Sequence, residues 1–298
     1  MSPSHSVEVT TKFLREWPLP NPTAGGDKED RGRVLVVGGS REMPGAVILS
    51  AMGAMRAGAG KLTVATGASV AQLVAQALPE ARVIGLQETS EGGICDGQTD
   101  KLPEQADALV VGPGMQDEDA AARFASDVVN RFGNACIVLD AVAMSTLVQH
   151  ASEHRNQRTI IATPHAGEMA HLTKLSKEAV RADAATIARN YSAAWNVIVA
   201  LKGATTFIAE PEGTLWRHER GSVGLGTSGS GDVLAGVIAG LAARGASPSQ
   251  ACIWGVALHA RAGESLAARI GLLGYLAREI PGEIPKIMES LSKSDSCT

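Results

Sequence analysis

Aromatic side chains are scarce, at 3% of the 298 residues. Glycine and alanine are abundant instead, which suits helices packed closely on a sheet. The chain has no Lys/Arg cluster, and its net charge of −4 argues against a nucleic-acid-binding protein. Apolar stretches such as VLAGVIAGLAA are too short to span a bilayer. The opening MSPSHSVEVTTKF has neither the basic start nor the apolar run of a signal peptide. Cys95, Cys136, Cys252 and Cys297 are scattered without a CxxC pair, which points to a reducing, cytoplasmic setting. A Walker A loop is missing too, since Gly60-Lys61 runs into Leu62 with no glycine at the required earlier position.

What is present is the composition of a globular protein, 45% hydrophobic and 19% charged. Apolar, β-branched runs recur: RVLVVGGS, KLTVAT, ARVIGL, DALVVGPGM, ACIVLDA, RTIIATPHAGE and NVIVALKGA. Helical patterns fall between most of them, and SKEAVRADAATIARNYSAAW reads as one amphipathic helix. TTFIAE and GTLWRH read as a short antiparallel pair. This alternation predicts an α/β fold with a doubly wound, mostly parallel sheet and helices on both faces. One domain is expected over residues 1–298, with an extended, Pro- and Gly-containing lead-in over 1–30 and a frayed tail over 293–298.

Ligands of such sheets bind outside the carboxyl ends of the strands. Five strand ends here carry glycine or polar residues: GGS, GPGM, DAVA, TPHAGE and KGATT. They predict one shared cleft. Downstream lies GLGTSGSGDVLAG, which contains a formal G-x-G-x-x-G. It fails as a dinucleotide fingerprint: TLWRHERGSV before it is too charged for a buried strand, and RGASPSQ after it supplies no acid. GSGD running into a helix instead predicts an anion site at a helix N-terminus, with Asp232 in the first turn, where the dipole favours an ionised carboxylate. The same residues also suit a plain capped helix. Lys202 can meet phosphate as a point charge, with hydrogen bonds from Thr205 and Thr206, or simply close a tight connection. His165 can be a loop histidine satisfied by backbone; with Glu168 and His171 it makes no recognised zinc spacing. His259 reads as structural, and Asp140 as a helix cap or an aid to a metal-bound phosphate.

In this order, GGSREMPGA, GPG, DAVA, TPHAGE, KGATT and GSGDVLAG resemble the ADP/ATP-dependent NAD(P)H-hydrate dehydratases of the ribokinase-like superfamily, from about Gly32 to Gly263. The resemblance implies an ADP- or ATP-driven dehydration of the S-epimer of hydrated NADH or NADPH (NADHX, NADPHX), with Mg2+. It implies Ala46, Gly112, Gly114, His165 and Asp232 at the hydrated nicotinamide, Asp232 being the catalytic base. The adenine nucleotide is implied at Lys202, Gly203, Ala204, Thr205 and Thr206 and on the amides of Gly229, Ser230 and Gly231. Metal ligands stay unassigned. A homotetramer cooperating with a separate epimerase is implied as well. This chain departs from the family at Met43, often aromatic there, at Met115-Gln116 after GPG, and at Ser222-Val223-Gly224 in place of Asn-Pro-Gly. Two other readings stay open: a vitamin or sugar kinase of the same superfamily, and a non-catalytic adenine nucleotide sensor. The TPHAGE and MPGA loops speak against the kinase.

Overall fold

The computed structural model describes residues 6–21, 27–149 and 160–292. Its strands are β1 (Val7–Glu8), β2 (Arg33–Val37), β3 (Lys61–Gly67), β4 (Arg82–Leu86), β5 (Ala108–Val111), β6 (Cys136–Leu139), β7 (Ile160–Ala162), β8 (Ile198–Leu201), β9 (Thr206–Ala209) and β10 (Leu215–His218). They form one sheet in the order β1-β10-β9-β8-β7-β6-β5-β2-β3-β4. Every pairing is parallel except those of β9 with β8 and β10. The α/β architecture expected from the sequence, a mostly parallel sheet with helices on both faces, is what the chain adopts.

Alternation along the strands explains the two covered faces. Val34, Val36, Val110 and Ile161 point into one core with the helices Gly45–Arg56, Ser230–Ala243 and Pro248–Arg269. Leu35, Val37, Leu109, Val111 and Ile160 point into the other, against the helices Glu118–Arg131 and Ala184–Trp195. Helices on the first face approach very closely. A Cβ on Gly236 would stand 1.9 Å from the Ser50 carbonyl oxygen, and one on Gly53 2.6 Å from that of Val233. Small residues are a packing requirement here.

The structure corrects two expectations. The lead-in is not merely extended: Val7–Glu8 adds a strand beside β10, and Thr10 caps a helix over Thr11–Glu16. Leu14 of that helix is fully buried, and the Trp17 carbonyl accepts hydrogen bonds from Gln250 and Trp254. Proline and glycine after residue 17 drew attention away from this apolar helix face. The segment SKEAVRADAATIARNYSAAW is two helices, Lys177–Ala182 and Ala184–Trp195, because Asp183 leaves helical backbone angles. Aspartate is a weak helix former, which favours such a boundary. The expected frayed tail lies outside the described residues.

Candidate active site

The helix Ser230–Ala243 begins at Gly229, whose φ of +88° is the left-handed turn that the preceding loop needs. Gly231 and Asp232 are the second and third helical residues, so their N–H groups have no acceptor inside the helix. The Ser230 N–H is engaged by the Thr227 carbonyl at 3.3 Å. The Ser230 hydroxyl turns inward to His259 Nε2, at 3.0 Å. Burial holds the pKa of His259 down to about 4, so this ring is neutral at pH 7 and clamps the turn as a structural group.

Beneath Gly231 lies a cluster of charge. Lys202, at the end of β8, is tied to the end of β7 by its N–H to the Pro164 carbonyl, 2.8 Å. Its Nζ donates to Asp140 Oδ1 at 3.2 Å and lies 3.8 Å from Glu168 Oε2. The same Asp140 oxygen accepts from Thr163 Oγ1 at 2.6 Å. A Cβ on Gly231 would sit 3.1 Å from Lys202 Nζ and 4.0 Å from Asp140 Oδ2, so the absence of a side chain lets the helix start rest on this pair. Burial works against the ammonium, yet the carboxylates of Asp140, Glu168 and Asp232 outweigh it and hold the pKa of Lys202 above its usual value.

Asp232 itself is not the readily ionised first-turn carboxylate that its helix position suggests. Burial, with the Asp140 charge second, pushes its pKa up to about 7, although Lys202 pulls the other way. Desolvation and a like charge exceed the helix dipole, which is worth about 0.3–1 kcal/mol in ordinary settings. The helix is fixed from behind by Ser50 Oγ, which donates to the Asp232 carbonyl at 2.7 Å.

Ala46 lies on the same helix as Ser50 and meets the GPG loop. Gly114 has a φ of +66°, and a Cβ there would stand 2.8 Å from that of Ala46. Gly112 has a φ of +122°, and its Cβ would fall 1.9 Å from the Asp140 carbonyl oxygen. The structure thus brings Ala46, Gly112, Gly114, Lys202, Gly231 and Asp232 to one place. Gly203 and Ala204 form the exposed β8–β9 turn beside it, with Thr205 and Thr206 half-buried. His165 stands at the edge in a different role: its Nδ1 accepts from the N–H groups of Gly167 and Glu168, at 2.9 and 3.1 Å, capping the helix Ala166–Thr173. Its side chain is 57% exposed, and its Nε2 lies 3.6 Å from Glu168 Oε1. Thr163, Glu168 and His259 were not among the sequence-derived site residues. Strand-end position marked the first two, but only the fold shows that they converge on Lys202 and the helix start.

Residues 34–286 match the NAD(P)H-hydrate dehydratase family. An ADP-dependent (S)-NAD(P)H-hydrate dehydratase of Xanthomonas campestris is 48% identical over 96% of this chain and 97% of its own length. A bifunctional NAD(P)H-hydrate repair enzyme of Moorella thermoacetica is 35% identical over 92% of this chain, which spans 52% of that longer protein. The crystal structure of the ADP/ATP-dependent NAD(P)H-hydrate dehydratase of Bacillus subtilis, co-crystallised with ATP/Mg2+, superposes with a TM-score of 0.81 at 28% identity, covering 96% of this chain and 99% of that one.

Proposed function

The chain belongs to the NAD(P)H-hydrate dehydratase family, and from that premise we propose that it restores NADH and NADPH from their hydrates with ADP as phosphoryl donor, releasing AMP and phosphate. One observation carries the chemistry: a carboxyl group poised near neutral pH, Asp232, stands at an open helix N-terminus over a lysine held by two carboxylates.

Hydroxide is a poor leaving group from the hydrated ring. Asp232 takes the proton of the ring hydroxyl as the oxygen attacks the β-phosphorus of ADP and the bond to AMP breaks. A base with a pKa near 7 suits that step, being substantially ionised near neutral pH yet able to hold the proton. The free amides of Gly231 and Asp232 stabilise the equatorial oxygens in transfer, a preorganised electrostatic contribution. The ring nitrogen lone pair then expels phosphate, which carries away the oxygen of the added water. The resulting iminium loses a proton from the adjacent ring carbon to the departing phosphate or to solvent, which restores the reduced nicotinamide. Ala46, Gly112 and Gly114 bound the ring, and the half-exposed His165 imidazole holds it at the edge. The β8–β9 turn from Lys202 to Thr206 receives the adenylate.

Among the described residues no group of three His, Cys, Asp or Glu side chains is arranged for a metal. Mg2+ asks for less, one or two carboxylates plus substrate phosphates, and Asp140 and Glu168 supply that beside Gly231. There it would neutralise the donor phosphates. Lys202 then acts mainly by fixing these carboxylates, because its ammonium is already shared between them. We further expect a cytoplasmic homotetramer that works with a separate epimerase; light scattering tests the assembly.

The deciding experiment gives the protein hydrated NADH, ADP and Mg2+ and follows the near-ultraviolet absorbance of reduced nicotinamide. An ADP-dependent rise is expected, lost in Asp232→Asn. A stable phosphorylated product with ATP would point to the kinase alternative, and binding without turnover to the sensor.

A further inference from the structure

A hollow opens beside His165. It is a cavity of about 300 Å³ lined by Glu118, Val142, Met144, His165, His171 and Leu172, with the backbone of Ala141 and Gly167 between them. It joins the acid–lysine cluster directly. Glu168 borders both, and Ala141 follows Asp140 with a φ of +49°. For a residue with a Cβ that left-handed conformation is strained, and such strain persists where a site requires it. Here it turns the chain so that Asp140 faces Gly231 while the next residues line the hollow.

The walls state what chemistry they accept. Val142, Met144 and Leu172 make an apolar side. Opposite are His171 Nε2 and Glu118 Oε1, 3.0 Å apart, with side chains 57% and 42% exposed. A contact so exposed to water contributes little by itself, so a ligand can exchange its hydrogen bond at small cost. Two glutamates make the hollow a poor site for phosphate and a fit for hydroxyl and amino donors. A flat, partly apolar group with such donors is a nucleoside. Pockets for whole small ligands span about 300–1,000 Å³, so this one takes a single nucleoside and not a dinucleotide.

We propose that this cavity receives the adenosine end of the hydrated dinucleotide, with His171 and Glu118 as specificity residues. The inference rests on the reaction assigned to Asp232. If the nicotinamide end reacts there and ADP occupies the β8–β9 turn, the substrate's second nucleoside needs its own place, and this hollow shares Glu168 with the acid–lysine cluster and His165 with the ring contact. Glu118 then faces the ribose hydroxyls, where a carboxylate accepts a hydrogen bond from a 2′-hydroxyl and repels a 2′-phosphate. The site thereby favours NADHX over NADPHX.

His171→Trp blocks the mouth from an exposed position, and Glu118→Gln removes the charge while keeping the shape. In His171→Trp the KM for NADHX is expected to rise about tenfold, the worth of about 1.4 kcal/mol of lost binding, with the KM for ADP unchanged. The preference of the wild type for NADHX over hydrated reduced nicotinamide mononucleotide, which lacks the adenosine, shrinks by the same factor. Glu118→Gln raises NADPHX turnover relative to NADHX. Unchanged NADHX kinetics in both variants, or equal losses on the truncated substrate, overturn the proposal. Calorimetry of free adenosine with ADP-saturated protein needs no turnover: binding by the wild type but not by His171→Trp supports the site even if the assigned reaction fails, and no binding to either refutes it.

Discussion

Replacing Asp232 by asparagine should abolish dehydration and yet make the protein more stable at alkaline pH. The carboxyl titrates near 4 in the unfolded chain and at about 7 in the folded one, chiefly because burial opposes its charge. Between those values the folded state holds a proton that the unfolded state has released. Stability therefore falls as pH rises from about 4 to about 7 and stays low above that. Roughly three decades in proton affinity amount to about 4 kcal/mol at 1.36 kcal/mol each, an upper bound for a group still open to the cleft. Two histidines act in the opposite sense. Burial lowers the pKa values of His218 and His259 to about 4, so they must bind protons on unfolding and they weaken the fold as pH drops below about 6.5. The wild-type curve mixes both effects, and the difference between wild type and Asp232→Asn isolates the carboxyl. Urea unfolding without nucleotide or Mg2+, at steps from about pH 4.5 to about pH 8.5, should show that difference growing by about 2–4 kcal/mol in favour of the variant. A difference that does not change with pH refutes the buried, proton-holding Asp232, and with it the account of a base tuned to neutrality.

The neighbours of Asp232 should move the pH dependence of kcat/KM in opposite directions. Wild-type activity rises through about pH 7 as the base ionises; Asp140→Asn removes a like charge and shifts that limb to lower pH, whereas Lys202→Met removes a cation and shifts it higher. Profiles that move together would sink the electrostatic reading. Gly236→Ala should lower thermal stability, by about 1–3 kcal/mol or more, because its methyl group meets the Ser50 carbonyl and pries apart the two helices that hold Asp232 and Ala46. Leu14→Ala should cost about 2–5 kcal/mol in urea unfolding, as for any large core residue, and a loss under about 0.5 kcal/mol would show that the N-terminal helix is not docked in solution.

Much of this architecture is readable in the residues themselves. Runs such as VLVV and ACIVL are apolar at every position because both faces of their strands are covered, and the structure buries alternate residues of each in different cores. Strand ends are marked by what cannot be buried, hence the glycines of GPG and the polar residues of TPHAGE and KGATT at the carboxyl ends of the interior strands β5, β7 and β8. The N-terminal helix escaped because a six-residue segment has too little periodicity to stand out beside Pro18 and Pro20. Its apolar face becomes meaningful only against Gln250 and Trp254, more than two hundred residues later.

Electrostatics was the part the sequence could not yield, and Asp232 shows why. A helix position is a local property, and the dipole rule built on it correctly finds an anion site at GSGD. The ionisation of a carboxyl at that site is decided by groups that arrive from elsewhere: Asp140 from the end of β6, Lys202 from the end of β8 and Glu168 from the helix after β7. Their separations along the chain, 92, 30 and 64 positions from Asp232, carry no hint of contact. Lys202 illustrates the same point from the other side. As an isolated lysine after a strand it suits a donor phosphate, but with Asp140 and Glu168 within 4 Å its charge is already matched. A free phosphate-binding lysine would leave the pH limb of Asp232 where it is when replaced, and would weaken ADP binding instead. A lysine that balances carboxylates moves the limb, and it weakens ADP only through the carboxylates it fixes. Measuring KM for ADP and the pH profile together in Lys202→Met therefore decides between the role suggested by strand-end chemistry and the one built by the fold.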